Sequence, residues 1–107
     1  MWYSAKLLFR STIDGSVVAQ PLSEESIRIF RADSEHIAQL RAAEIGRDAE
    51  HEYPNENGEM VRWSFVAVLE VQDLCEGDLE DGTEVFSRLF REEESSIANV
   101  STAPGKP

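Results

Sequence analysis

No stretch of this chain comes near the roughly 18 consecutive apolar residues that a membrane-spanning helix needs, so no membrane span is expected. The opening Met1-Trp2-Tyr3-Ser4-Ala5-Lys6 has neither the basic start nor the greasy run of a secretory leader. Cysteine is all but missing. Cys75 stands alone, so no intramolecular disulfide can form, which fits a reducing cytoplasm. Bases are scarce as well: 10 Lys and Arg against 21 Asp and Glu give a formal charge of −11 over 107 residues. That balance opposes binding to nucleic acid, where cations must displace phosphate counterions, and permits attraction to a basic protein. The usual signatures of chemistry are lacking too. There is no Gly-x-Ser-x-Gly elbow, no phosphate-cradling glycine loop, no Cys-x-x-Cys and no His-x-x-x-His pair. Cys75 sits beside Glu76 without the basic neighbours that activate a thiol. Acids crowd between residues 44 and 59 and again between 73 and 84, but neither Gly58 nor Gly82 falls in an EF-hand spacing. They read as solvated surface. No catalytic residue, metal site or cofactor is expected.

What the chain does have is alternation. From Met60 to Gln72, Val61, Trp63, Phe65, Ala67, Leu69 and Val71 make an apolar row at every second position. Side chains two apart share one face of a strand, and β-branched and aromatic enrichment points the same way. Trp2 to Thr12 alternates likewise, with Tyr3, Ala5, Leu7 and Phe9 on one side. Asp14-Gly15 marks a turn and Pro21 keeps the next stretch from being a central strand. Glu25 to Ala32 reads as a shorter strand, and Thr83 to Arg91 as a last one. Between them, Asp33-Ser34-Glu35 offers a helix cap and an acid for the first turn. A helix from Ser34 to about Glu52 would set Ala38, Ala42, Ile45 and Ala49 on one stripe, small enough to lie close on a sheet. Pro54 and Asn55-Glu56-Asn57-Gly58 end it. The fold class is therefore α+β: a ββαββ chain with a four-stranded, mostly antiparallel sheet in the order 2-1-3-4. One helix packs on one face. The two longest strands are central, and the domain covers residues 1–91, followed by an acidic and polar flexible tail over 92–107.

One helix covers only one face. The other would carry Trp2, Lys6, Leu8, Arg10, Met60, Arg62, Ser64, Val66 and Val68, too apolar for a wet face and too basic for a core. Such a face seeks company, and pairing of two copies as a homodimer through it is the expected outcome. The candidate binding residues are Trp2, Lys6, Arg10, Arg28, Arg62 and Ser64, whose cations could form a basic band. Arg62 could anchor an anion, but a cross-strand ion pair of little worth is the favoured reading. His36 and His51 read as surface residues.

Several segments in order carry a family resemblance. They are Trp2-Tyr3-Ser4-Ala5-Lys6-Leu7-Leu8-Phe9, Pro21 to Glu25 running into Ile27 to Ala32, Gly58 to Val66, and Asp81 to Arg88. The chain resembles the small bacterial proteins of domain of unknown function 4288. It departs from them at Leu22-Ser23-Glu24-Glu25, where members often have Leu-Tyr-Glu-Glu. The resemblance brings no activity with it, but implies a bacterial or phage-borne cytoplasmic protein. The reading that follows from charge, size and open face is a non-enzymatic interaction module. Its most concrete form is an inhibitor, immunity protein or antitoxin for a basic protein. A binder of an anionic small molecule, or a minor enzyme working through the basic band, is the alternative.

Overall fold

In the computed structural model the described residues are 1–14, 21–75 and 77–92. Apart from residue 92 itself, the expected tail falls outside them. The elements run β1 (Trp2–Ile13), β2 (Ser23–Arg31), α1 (Glu35–Asp48), β3 (His51–Pro54) and β4 (Met60–Asp73). All three strand pairs are antiparallel. The class is α+β, with a curled four-stranded sheet and one helix. No helix is long and apolar enough to cross a membrane among the described residues.

The sheet order is β2-β1-β4-β3, not 2-1-3-4. The two long strands are adjacent and central as expected, and the difference lies at one edge. The helix stops at Asp48, several residues short of Glu52, and His51–Pro54 turns back as a four-residue edge strand. The Asn55 carboxamide explains the hairpin: its Oδ1 accepts from the backbone N–H of Asn57 and of Glu59. Gly58 takes the left-handed conformation, with φ of 77°, that closes the turn. Residues 83–91, expected as the last strand, form no ladder among the described residues.

The alternation in β4 also fails to run straight through. Glu70 faces Lys6 and Val68 faces Leu7, leaving Leu69 without a partner; Ala67 faces Leu8 and Phe65 faces Phe9, leaving Val66 without one. Each extra residue is a bulge, which bends the strand and resets which side the next residue takes. Val68 therefore joins the core, while Leu69 is 45 % exposed and Ala67 shares the side of Leu8. Such steps also break the even spacing of outward N–H and C=O groups that a long additional strand would need on that edge.

The core is the odd row of β1: Tyr3, Ala5, Leu7 and Phe9 are buried together with Phe30, Ala32, Ala38 and Ala42. Large side chains buried this way contribute roughly 1.5–3 kcal/mol each. In β2 it is Phe30 that turns inward, stacked on Tyr3, while Ile27 and Ile29 point to the other side. Ser34 caps the helix by accepting from the Ile37 N–H. The helix lies close to the sheet because the residues beneath it are Ala38, Ala42 and Gly46.

Candidate functional site

Two surfaces of the sheet remain for function, one on each side. Across the strand pairs, Trp2, Lys6, Arg10, Arg62 and Ser64 share the side away from the helix, since Arg10 faces Ser64 and Thr12 faces Arg62. Arg28 does not join them. It faces Ala5, on the helix side of the sheet, and its Nε donates to Ser26 Oγ. Two of the three remaining candidate cations are engaged. Lys6 Nζ lies 3.8 Å from the Glu25 carboxylate, across from β2. Arg62 reaches Glu52 at 3.6 Å, its partner across the β3–β4 pair, and Glu50 at 3.7 Å. The Arg31 guanidinium sits over the Trp2 ring. The Arg62 pairs are half-exposed and add little stability, and Lys6 is mostly covered, but all of them take up positive charge that an anion would use. Of the three cations among these five, only Arg10 makes no ion pair among the described residues.

Nor is that side bare. After β4 the chain returns across it as an irregular strap, residues 83–91. Gln72 holds it: its Nε2 donates to the Ser87 carbonyl at 2.5 Å, and its Oε1 accepts from the Ser87 N–H at 3.2 Å. A single carboxamide thus supplies what a neighbouring strand would have supplied. Lys6 Nζ stands 4.8 Å from the centre of the Phe86 ring, a cation–π contact. Ser4, between Trp2 and Lys6 on the same side, is fully buried, and its Oγ finds no partner among the described residues. A serine on an open sheet face would be wet, so this part of the face is covered. Replacing Gln72 with Ala is expected to loosen the strap and leave the sheet folded. Limited proteolysis checks this: cleavage at Phe86 and Arg88 should accelerate severalfold while the thermal midpoint barely moves. Unchanged cleavage would show that the clasp does not hold the strap.

On the helix side the sheet outruns its cover. Fourteen helical residues span about 21 Å, whereas the 14 residues of β4 span about 46 Å. Past the end of the helix a cleft of about 360 Å³ opens, lined by Ser11, Thr12, Ile13, Leu22, Tyr53, Val61 and Trp63. Its walls are mainly apolar and carry no charged side chain. Trp63 Nε1 donates to the Tyr53 hydroxyl at 3.4 Å, and Ser11 Oγ donates to the Leu22 carbonyl. None of these residues is among the six candidates, though the mismatch in element lengths could have pointed to them. At the other end of β1, burial pushes the Tyr3 phenol above its ordinary value of 10.0. Asp73, directly across the strand pair, adds to the rise, as do Glu35 and Cys75. This marks core, not chemistry. Among the described residues no three His, Cys, Asp or Glu side chains gather as a metal site.

Residues 2–87 match the family described as Domain of unknown function (DUF4288). The chain belongs to this family. The DUF4288 match spans the whole sheet, the helix and the strap as far as Ser87, the residue clasped by Gln72. The comparisons with curated proteins and with solved structures gave no match for this DUF4288 chain.

Proposed function

We propose that this DUF4288 protein is a non-catalytic interaction module that binds a basic protein in the cytoplasm, as an inhibitor, immunity protein or antitoxin does. One observation carries the reading. Of the cations on the sheet face, Lys6, Arg62 and Arg31 are already matched by Glu25, Glu50 and Glu52 or by the Trp2 ring. That leaves Arg10 alone, so what the surface offers outward is mainly acid and apolar area. Ile27 and Ile29 on β2, and Leu89 and Phe90 on the strap, stand exposed. The connection from Asp73 to Glu84 carries no basic residue. A partner with basic and apolar groups complements this surface better than an anionic small molecule does, because Lys6 and Arg62 are paired, Arg28 lies on the other side and Arg10 alone is left of the band. Electrostatic attraction of this kind steers encounter and weakens with salt.

The test is affinity capture from the native host at moderate salt, with the bound protein identified and its charge read from its sequence. The expected result is a basic protein released by raised salt and lost from the triple variant Asp78→Lys, Glu80→Lys, Asp81→Lys. Recovery of the chain with copies of itself alone, or undiminished capture by the triple variant, would overturn the proposal.

A further inference from the structure

The outer edge of β2 has no partner among the described residues. Edge strands are usually short or distorted, because a row of free N–H and C=O groups invites another strand. This one is nine residues long, Ser23–Arg31, with no register step against β1. Its hydrogen-bond phase follows from two bonds: Ala32 N–H donates to the Met1 carbonyl, and Ser11 N–H donates to the Leu22 carbonyl. Even-numbered residues therefore bond inward to β1. The odd ones, Ser23, Glu25, Ile27, Ile29 and Arg31, direct their N–H and C=O groups outward.

The strand is also asymmetric in charge. Its first half carries Glu24 and Glu25, its second Arg28 and Arg31, with Ile27 at the centre. A strand of this pattern is complementary to itself when reversed. We propose that a second copy of this chain pairs with it, β2 against β2, antiparallel and two-fold symmetric with Ile27 on the axis. That register sets Ile27 opposite Ile27 and Glu25 opposite Ile29, and it engages all nine residues of each strand. Glu24 then lies diagonal to Arg28 of the second copy, and Glu25 diagonal to its Arg31, within reach of side chains this long. Sliding by one step to centre on Arg28 would shorten the ladder and set the two Arg28 side chains directly opposite each other, which costs energy. A parallel arrangement would bring like charges together. The two four-stranded sheets become one continuous sheet, with the exposed Ile27 and Ile29 of both copies meeting on the strap side. The contact is isologous and closes on itself. It draws on Ile27 and Ile29, which the partner proposed above could also touch. It leaves the acidic connection and the exposed Leu89 and Phe90 of the strap free, so each proposal can fail without the other.

Cross-linking and sizing test it. In a Cys75→Ser background, Ile27→Cys should oxidise to a disulfide-linked dimer, since opposed residues of a hydrogen-bonded pair lie about 5.5 Å apart, inside the range a disulfide spans. Arg28→Cys in the same background should cross-link poorly. Sedimentation of the unmodified protein should give twice the 12.0 kDa chain mass. Ile27→Pro should give a folded monomer, because the N–H it removes faces outward and proline is tolerated there. A monomer at the highest soluble concentration, or cross-linking by Arg28→Cys in place of Ile27→Cys, would overturn the proposal. So would a dimer that persists in folded Ile27→Pro protein.

Discussion

Replacing Leu7 with alanine should lower the free energy of unfolding by about 3 kcal/mol, within the roughly 2–5 kcal/mol that such truncations cost. Leu7 is fully buried, near the middle of the central strand, with Ser26 on one side and Val68 on the other. The surrounding layer has little capacity to close around the gap, because the buried helix residues over the core are Ala38, Ala42 and Gly46. Leu8 provides the internal control. It points to the strap side and is only half-buried, so Leu8→Ala should cost well under half as much. Urea denaturation with an unchanged slope reads both. Equal losses at the two positions would mean that the odd row of β1 is not the core. For a domain whose total stability is on the order of 5–15 kcal/mol, the Leu7 variant should still fold but unfold at markedly lower urea.

The second large effect sits under the helix. A Cβ built on Gly46 would lie 2.4 Å from Cδ1 and 2.5 Å from Cε1 of the Phe65 ring. Alanine ordinarily strengthens a helix over glycine by about 1 kcal/mol. Here that gain is outweighed, because the ring is itself packed against Phe9, with 5.9 Å between centroids. The ring must shift or the helix must lift from β4, and overpacking of this kind costs about 1–3 kcal/mol. Gly46→Ala should therefore be destabilising, and Gly46→Val more so. Combining Gly46→Ala with Phe65→Leu removes the obstructing ring carbons and should recover part of the loss. A stabilised Gly46→Ala protein would show that the helix rides higher than the structure places it.

These two positions mark how far the sequence could be read. The row containing Leu7 is a clean alternation, and the structure buries it as that pattern implies. Gly46 reads from sequence as a mild weakness in a helix; only the ring of a residue 19 positions on, brought beneath it by the fold, makes it a requirement. The small stripe of Ala38 and Ala42 was legible because spacing alone reveals it. The bulges at Val66 and Leu69 were not, since an apolar run gives the same pattern whether or not a strand skips a step. Residues 83–91 alternate well enough for a strand, yet their place beside β4 is taken at one end by the nearer His51–Pro54 hairpin. Elsewhere they are drawn across the face by Gln72 and Lys6. Of the candidate site, five of six residues share a side as the alternation indicates. Arg28 is the exception, because Glu25 to Ala32 gives no preference for which side turns inward until Phe30 meets Tyr3.

The two skipped residues of β4 have a geometric outcome for the whole molecule. Extra length on one strand against a straight neighbour forces curvature, and a curved layer needs a narrower roof than a flat one. Fourteen residues of slender, alanine-lined helix roof the width of the curl and leave open only the cleft past the helix end, whereas the same strands laid flat would leave a margin that a single helix of this width could not shelter.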